Sequence, residues 1–116
     1  ADPAPMMERV GYEMMRLWYE QGPGRSIVSN GPEFLRFQAG SEGYRSLVRG
    51  AEAETGGFAL SELDEVAGRA LMVSTTPFPR ALERGVLRGG IELGGGVDFV
   101  GVDNSVDSSR FEVMLR

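Results

Sequence analysis

Three short stretches of this chain place side chains where they could do chemistry. Leu47-Val48-Arg49-Gly50 carries an arginine at the end of an apolar run. Val73-Ser74-Thr75-Thr76 ends a second apolar run in hydroxyls, and an aromatic follows at Phe78. Phe111-Glu112-Val113-Met114-Leu115 sets a glutamate inside a third. The chain has no Cys and no His. That removes thiolate nucleophiles, disulfides, imidazole bases, Ser-His-Asp triads and Cys- or His-based metal sites. Catalysis would have to run on carboxylates, hydroxyls, guanidinium groups and backbone donors. Each stretch also has an ordinary reading: a solvated charge, a turn before proline, a strand carboxylate facing water. Glu112 is the least ordinary. Strand alternation puts Phe111, Val113 and Leu115 on one face and leaves Glu112 sharing the other with Met114. A carboxylate on a half-apolar face belongs to a sheet edge or a cleft.

The order and spacing of these stretches resemble the R-S-E class of ADP-ribosyltransferases, the group of the cholera-toxin-like, actin-modifying and Rho-modifying bacterial enzymes. The likeness runs from about Ser46 to the end of the chain. Val48-Arg49-Gly50 is similar to the family's first block, Ser74-Thr75-Thr76 followed by Ala81 to its second, and Glu112-Val113-Met114-Leu115 to its third. The sister class holds NAD with a histidine, which this chain lacks. The resemblance implies an α+β fold with N-terminal helices packed on two small mixed or antiparallel sheets that form an NAD cleft. It implies that NAD is cleaved at the nicotinamide–ribose bond, with Glu112 stabilising the ribosyl cation that develops. Ser74 would hold that carboxylate and part of the NAD. Arg49 and Gly50 would line the phosphate side, where a fixed guanidinium fork suits a phosphate. Thr75 would lie against the cofactor, Phe78 would cover the nicotinamide by stacking, and Arg80 would add a phosphate contact.

Arg110 stands where acceptor-directed members carry Glu or Gln, two residues before the catalytic glutamate. It is therefore the candidate acceptor-binding residue, and the acceptor should be unusual. ADP-ribose transfer to a macromolecule, a protein ahead of a nucleic acid, is the expected reaction. NAD hydrolysis by water is the alternative, and a non-enzymatic immunity or inhibitor module is the contrasting class. An enzyme of this kind acts as a secreted or delivered toxin in the cytoplasm of a target cell. It implies a cognate immunity protein covering the cleft, a monomeric state, and no metal.

Other clusters read as structure. Glu52 and Glu54 form an E-x-E pair beside Gly56-Gly57 without a following apolar strand. Asp98, Asp103 and Asp107 lack the spacing of a calcium loop, and Gly94–Gly96 lacks the Gly-Lys-Ser/Thr of a phosphate loop. Arg80, Arg84 and Arg88 stand four apart and read as a solvated face, with Gly85 arguing against one helix for all three.

The elements that must position these residues follow from periodicity and punctuation. Residues 6–20 carry Met7, Val10, Met14, Leu17 and Trp18 at helical spacing and end at Gly22-Pro23. Their four methionines and Trp18 are expected in the core. Asn30 is placed to cap a second helix with Pro32 in its first turn and Phe34, Leu35 and Phe37 on its apolar side. A loop spans Ala39 to Gly43, and Ser46–Gly50 is a short strand candidate. Ser61 with Asp64 suggests a capped short helix closed by Gly68, with Leu60 as its staple. Ala70–Thr75 reads as a strand bounded by Pro77 and Pro79, and Phe78–Arg84 as a turn of helix. Residues 86–93, 97–102 and 110–115 read as strands, the first weakened by Gly89-Gly90. Helices then concentrate in the first half and strands in the second, which points to α+β.

Length and composition agree with one domain over residues 6–116, after a linker-like or scar-like stretch at 1–5. The chain has 116 residues, 41% hydrophobic and 25% charged, which is globular composition. Its formal net charge of −5 argues against general nucleic-acid affinity. No apolar run approaches the roughly 18 residues of a membrane span. All 12 positive side chains are arginine. GC-rich coding explains that, and selection against lysine in a protein exposed to eukaryotic ubiquitination is the sharper reading.

Overall fold

The computed structural model describes residues 2–40, 43–44 and 55–116. The expected strand at 46–50 lies outside these residues, as do Arg49 and Gly50. The described elements are α1 (Ala4–Glu20), α2 (Gly24–Ile27), α3 (Gly31–Ala39), β1 (Phe58–Asp64), β2 (Arg69–Ser74), α4 (Arg80–Gly94), β3 (Val100–Asp103) and β4 (Arg110–Leu115). The fold is α+β. The described strands form one antiparallel sheet in the order β1-β2-β4-β3, where the sequence suggested two small sheets.

Local chemistry sets several boundaries. Asn30 caps α3 as expected, its side chain accepting the Glu33 N–H at 2.9 Å, with Pro32 in the first turn. Gly68, at φ +69, closes the turn between β1 and β2. This turn replaces the expected short helix at 61–68. The Ser-x-x-Asp pattern is outweighed by tertiary pairing: Phe58, Leu60 and Leu63 lie opposite Ser74, Met72 and Ala70 of β2. An irregularity between Leu60 and Glu62 absorbs Ser61 and keeps the apolar side chains on one face.

The largest departure is α4. Residues 86–93, read as a strand with a weak point, are helical throughout. Of the glycines that argued against a helix, Gly85 and Gly89 are where α1 approaches and Gly90 is where the Phe34 ring of α3 lies. A Cβ on Gly85 would lie 1.9 Å from the Glu8 carbonyl oxygen, and one on Gly11 would lie 2.1 Å from that of Leu82. Two backbones this close tolerate no side chain between them, so packing outweighs the glycine's helix cost of about 1 kcal/mol. The pair is tied at its polar edge by Glu8 to Arg84 and Arg88, at 3.1 and 3.2 Å. At its far end the buried Tyr19 hydroxyl donates to Gly90 O at 2.6 Å.

The core lies between α3, α4 and the inner sheet face. Phe34, Leu35, Leu87 and Ile91 from the helices meet Met72, Phe111 and Val113 from the strands, all essentially fully buried. The expected alternation of β4 holds: Phe111, Val113 and Leu115 are buried, and Glu112 and Met114 are exposed. The methionines of α1 do not all enter the core. Met7 and Met15 are half-buried, while Met6 is 74% and Met14 47% exposed. The apolar arc of α1 is wider than the face α4 can cover.

Candidate functional site

Ser74 ends β2 on the inner face and is buried. The chain then runs Thr75-Thr76-Pro77-Phe78-Pro79 over the molecule before α4 begins. Proline φ values suit such an extended strap, and Pro79 starts the helix from a non-helical conformation. One turn into α4, Glu83 points back under the strap and is only 4% exposed.

Glu83 is the hub of a dense polar cluster. Ser74 Oγ donates to its carboxylate, with contacts of 2.9 and 3.0 Å to the two oxygens. Thr76 Oγ1 donates to its Oε2. Arg80 Nη1 donates to its Oε1 at 2.9 Å, and the same nitrogen donates to the carbonyls of Thr76 at 3.0 Å and Phe78 at 3.1 Å. The Phe78 N–H bonds Thr76 Oγ1 at 3.2 Å. The strap is thus fastened to α4 through one carboxylate. Burial pushes the Glu83 carboxyl above its usual range, and the donors from Thr76, Ser74 and Arg80 oppose that shift without cancelling it.

Beside this cluster is an apolar pocket of about 210 Å³ lined by Met14, Met15, Gln38, Tyr44, Phe58, Phe78, Leu82, Glu83 and Val86. Met14 and Phe78 are partly exposed and stand at its mouth. Tyr44 packs edge-on against Phe58 at 5.4 Å and against Phe78 at 6.1 Å, forming an aromatic wall. The Tyr44 hydroxyl turns away to donate to Thr55 O at 2.6 Å. Among the described residues, no group of three or more His, Cys, Asp or Glu side chains is placed to hold a metal ion.

The residues singled out from the sequence divide between two faces. Ser74, Phe78 and Arg80 meet at the pocket and its cluster. Ser74 does hold a carboxylate, but it is that of Glu83. Arg80 is engaged by Glu83 and the strap carbonyls. Thr75 is exposed and bonds Gly57 through its hydroxyl, at 3.0 Å to the N–H and 3.2 Å to the carbonyl. Glu112 and Arg110 are exposed on the outer sheet face, where Glu112 lies opposite Leu71 and Asp103 and Arg110 lies opposite Val73. A broad open groove there is also lined by Glu62, Arg69 and Asp107. Ser74 and Glu112 therefore do not share a cleft. No family model, curated protein or solved structure matches this chain.

Sequence reasoning missed Glu83, Gln38 and Tyr44. For Glu83 the signal was present. With α4 read as one helix, Glu83 lies three and four residues before Val86 and Leu87, a carboxylate on an apolar helical face.

Proposed function

We propose that this domain is a binding module for a small organic molecule, held in the apolar pocket behind Phe78. The observation that carries this reading is the pocket itself. It is lined by Met14, Met15, Leu82, Val86 and three aromatic rings, and its surface is almost wholly apolar, as suits an apolar small molecule. Its 210 Å³, open to solvent on one side, is of the same order as the roughly 150 Å³ of an enclosed engineered cavity that binds benzene. A ring or short branched chain fits, and a dinucleotide does not. The test is a thermal-shift and calorimetric series with small neutral compounds. Saturable binding that raises the melting temperature is expected, weakened in Phe78→Ala. No saturable binding in the millimolar range would overturn the reading.

A second reading is the NAD-cleaving transferase or glycohydrolase with an ADP-ribosyltransferase-like fold. It is favoured by one arrangement: a serine and an arginine gathered on a carboxylate beside a ring-sized pocket rimmed by an aromatic. On this reading the pocket takes the nicotinamide, the cluster at Ser74 and Arg80 borders the bond to be broken, and a partner neutralises the protein in its producer. Nicotinamide release from NAD tests it. Turnover lost in Glu112→Ala supports the assignment of that residue, and turnover retained there but lost in Glu83→Gln moves the site to the pocket. Absence of turnover removes the enzyme reading.

A further inference from the structure

The pocket's surface fixes which part of a ligand can be buried in it, an inference that rests on the small-molecule reading above. That surface is almost wholly apolar. The one carboxylate on the wall, Glu83, is engaged by Ser74, Thr76 and Arg80. A polar or charged group pushed inside would lose its hydration without gaining a partner. The buried part of a ligand is therefore apolar, and any polar end it carries stays outside the mouth.

The mouth opens onto more apolar surface. Met14 lines the pocket and is also 47% exposed, so it belongs both to the cavity and to the outside of α1. Val10 lies one turn before it and Leu17 one turn after, with Met6 a further turn before Val10. Residues at these spacings share one side of a helix. All three are exposed. From Met6 to Leu17 the stripe runs about 16 Å along the helix axis. Single exposed apolar side chains are ordinary, but a continuous stripe that runs into a cavity marks a binding surface. The pocket is the deep end of an apolar track.

The charges beside the track select no headgroup. On its flank Arg16 is held between Glu13 and Glu20, at 2.6 and 2.7 Å. Both signs are present there, and the chain as a whole carries a formal net charge of −5. A helix that lies on a bilayer presents a basic polar face instead. The track thus suits a free molecule over a membrane surface. We infer that the ligand is a single-chain amphiphile. The end of its alkyl chain fills the pocket, the next part lies along the α1 stripe beside Met14, and its polar head remains in water.

The test titrates the full chain with 1-alkanols from butanol to decanol, each below its solubility limit, and with toluene. Affinity should rise about fourfold per methylene while the chain fills the pocket. Beyond that it should go on rising by about twofold per methylene, because the stripe covers one side of the chain. Val10→Ser/Leu17→Ser changes one exposed residue on each side of Met14. With its melting temperature unchanged, it should keep the first slope and lose the second. A plateau in the native protein once the pocket is full overturns the inference while the pocket stands. So does a second slope that survives in the double variant. Co-flotation with neutral phosphatidylcholine vesicles would assign the stripe to a bilayer surface and also overturn it. If toluene binds and no alkanol does, this inference alone fails. If neither binds, the small-molecule reading fails with it.

Discussion

Glu83 combines two roles that a surface carboxylate never has to reconcile. It fastens the Thr75–Pro79 strap, and it is buried where its charge is costly. Removing it outright leaves the buried hydroxyls of Ser74 and Thr76 without their acceptor, at about 1–3 kcal/mol for each group left unsatisfied. Glu83→Ala should therefore lose about 2–4 kcal/mol in urea unfolding. Glu83→Gln, which keeps an acceptor oxygen, should lose about 1 kcal/mol or less. The pH dependence has a definite sign. The carboxyl is raised in the folded state above its unfolded value of 4.5. Between the two values the folded chain retains a proton that the unfolded chain has released. This contribution to stability is present below the unfolded value and is lost as pH rises through the folded one. The native protein should thus gain stability over Glu83→Gln as pH falls through that window. A gain for native protein as pH rises would contradict the assignment.

At the scale of elements, the α1–α4 contact and the two faces of β4 make opposite predictions for small changes. Gly85→Ala places a methyl against the Glu8 backbone, which cannot yield as a side chain can. It should cost about 3 kcal/mol or more by forcing the helices apart. Glu112→Ala, exposed on the outer face of β4, should change stability by about 0.5 kcal/mol or less. Phe111→Ala, its neighbour on the buried face, should cost about 3–5 kcal/mol. Chemical denaturation of the three variants decides all of these. They also explain what the sequence could disclose. The period-two pattern of 110–115, the cap at Asn30 and the hydroxyl end of β2 are local signals, and local physics was enough to read them. Gly85 and Gly89 are conditioned by α1 and Gly90 by Phe34 of α3, so their local message pointed away from the element they form. The Ser61-x-x-Asp64 pattern misled for the same reason: pairing with β2 outweighed a cap. Glu83 became legible as a site residue only once α4 was known to be a helix, since the same residue in a turn faces no core. The grouping of Ser74 with Glu83 rather than Glu112 follows from which sheet face each occupies, and chain order carries no such information.

Over the whole molecule, the described elements place one helical layer on one face of a four-stranded sheet. The pocket opens beside that layer, between α1, α3, the strap and the start of α4, where the apolar arc of α1 runs past the cover α4 provides. The opposite face of the sheet is charged and carries Arg110 and Glu112, while Ser74, Phe78 and Arg80 lie at the pocket. The two faces therefore make separate functional claims, and the small-molecule claim rests on the apolar pocket with its aromatic and thioether lining. Methyl NMR during a toluene titration tests that claim most directly. The signals of Met14, Met15 and Val86 should move together and saturate, with those of Met6 and Met114 unmoved, since these two lie away from the cavity lining. Unmoved Met14, Met15 and Val86 signals, or shifts confined to the exposed Met6 and Met114, would contradict it.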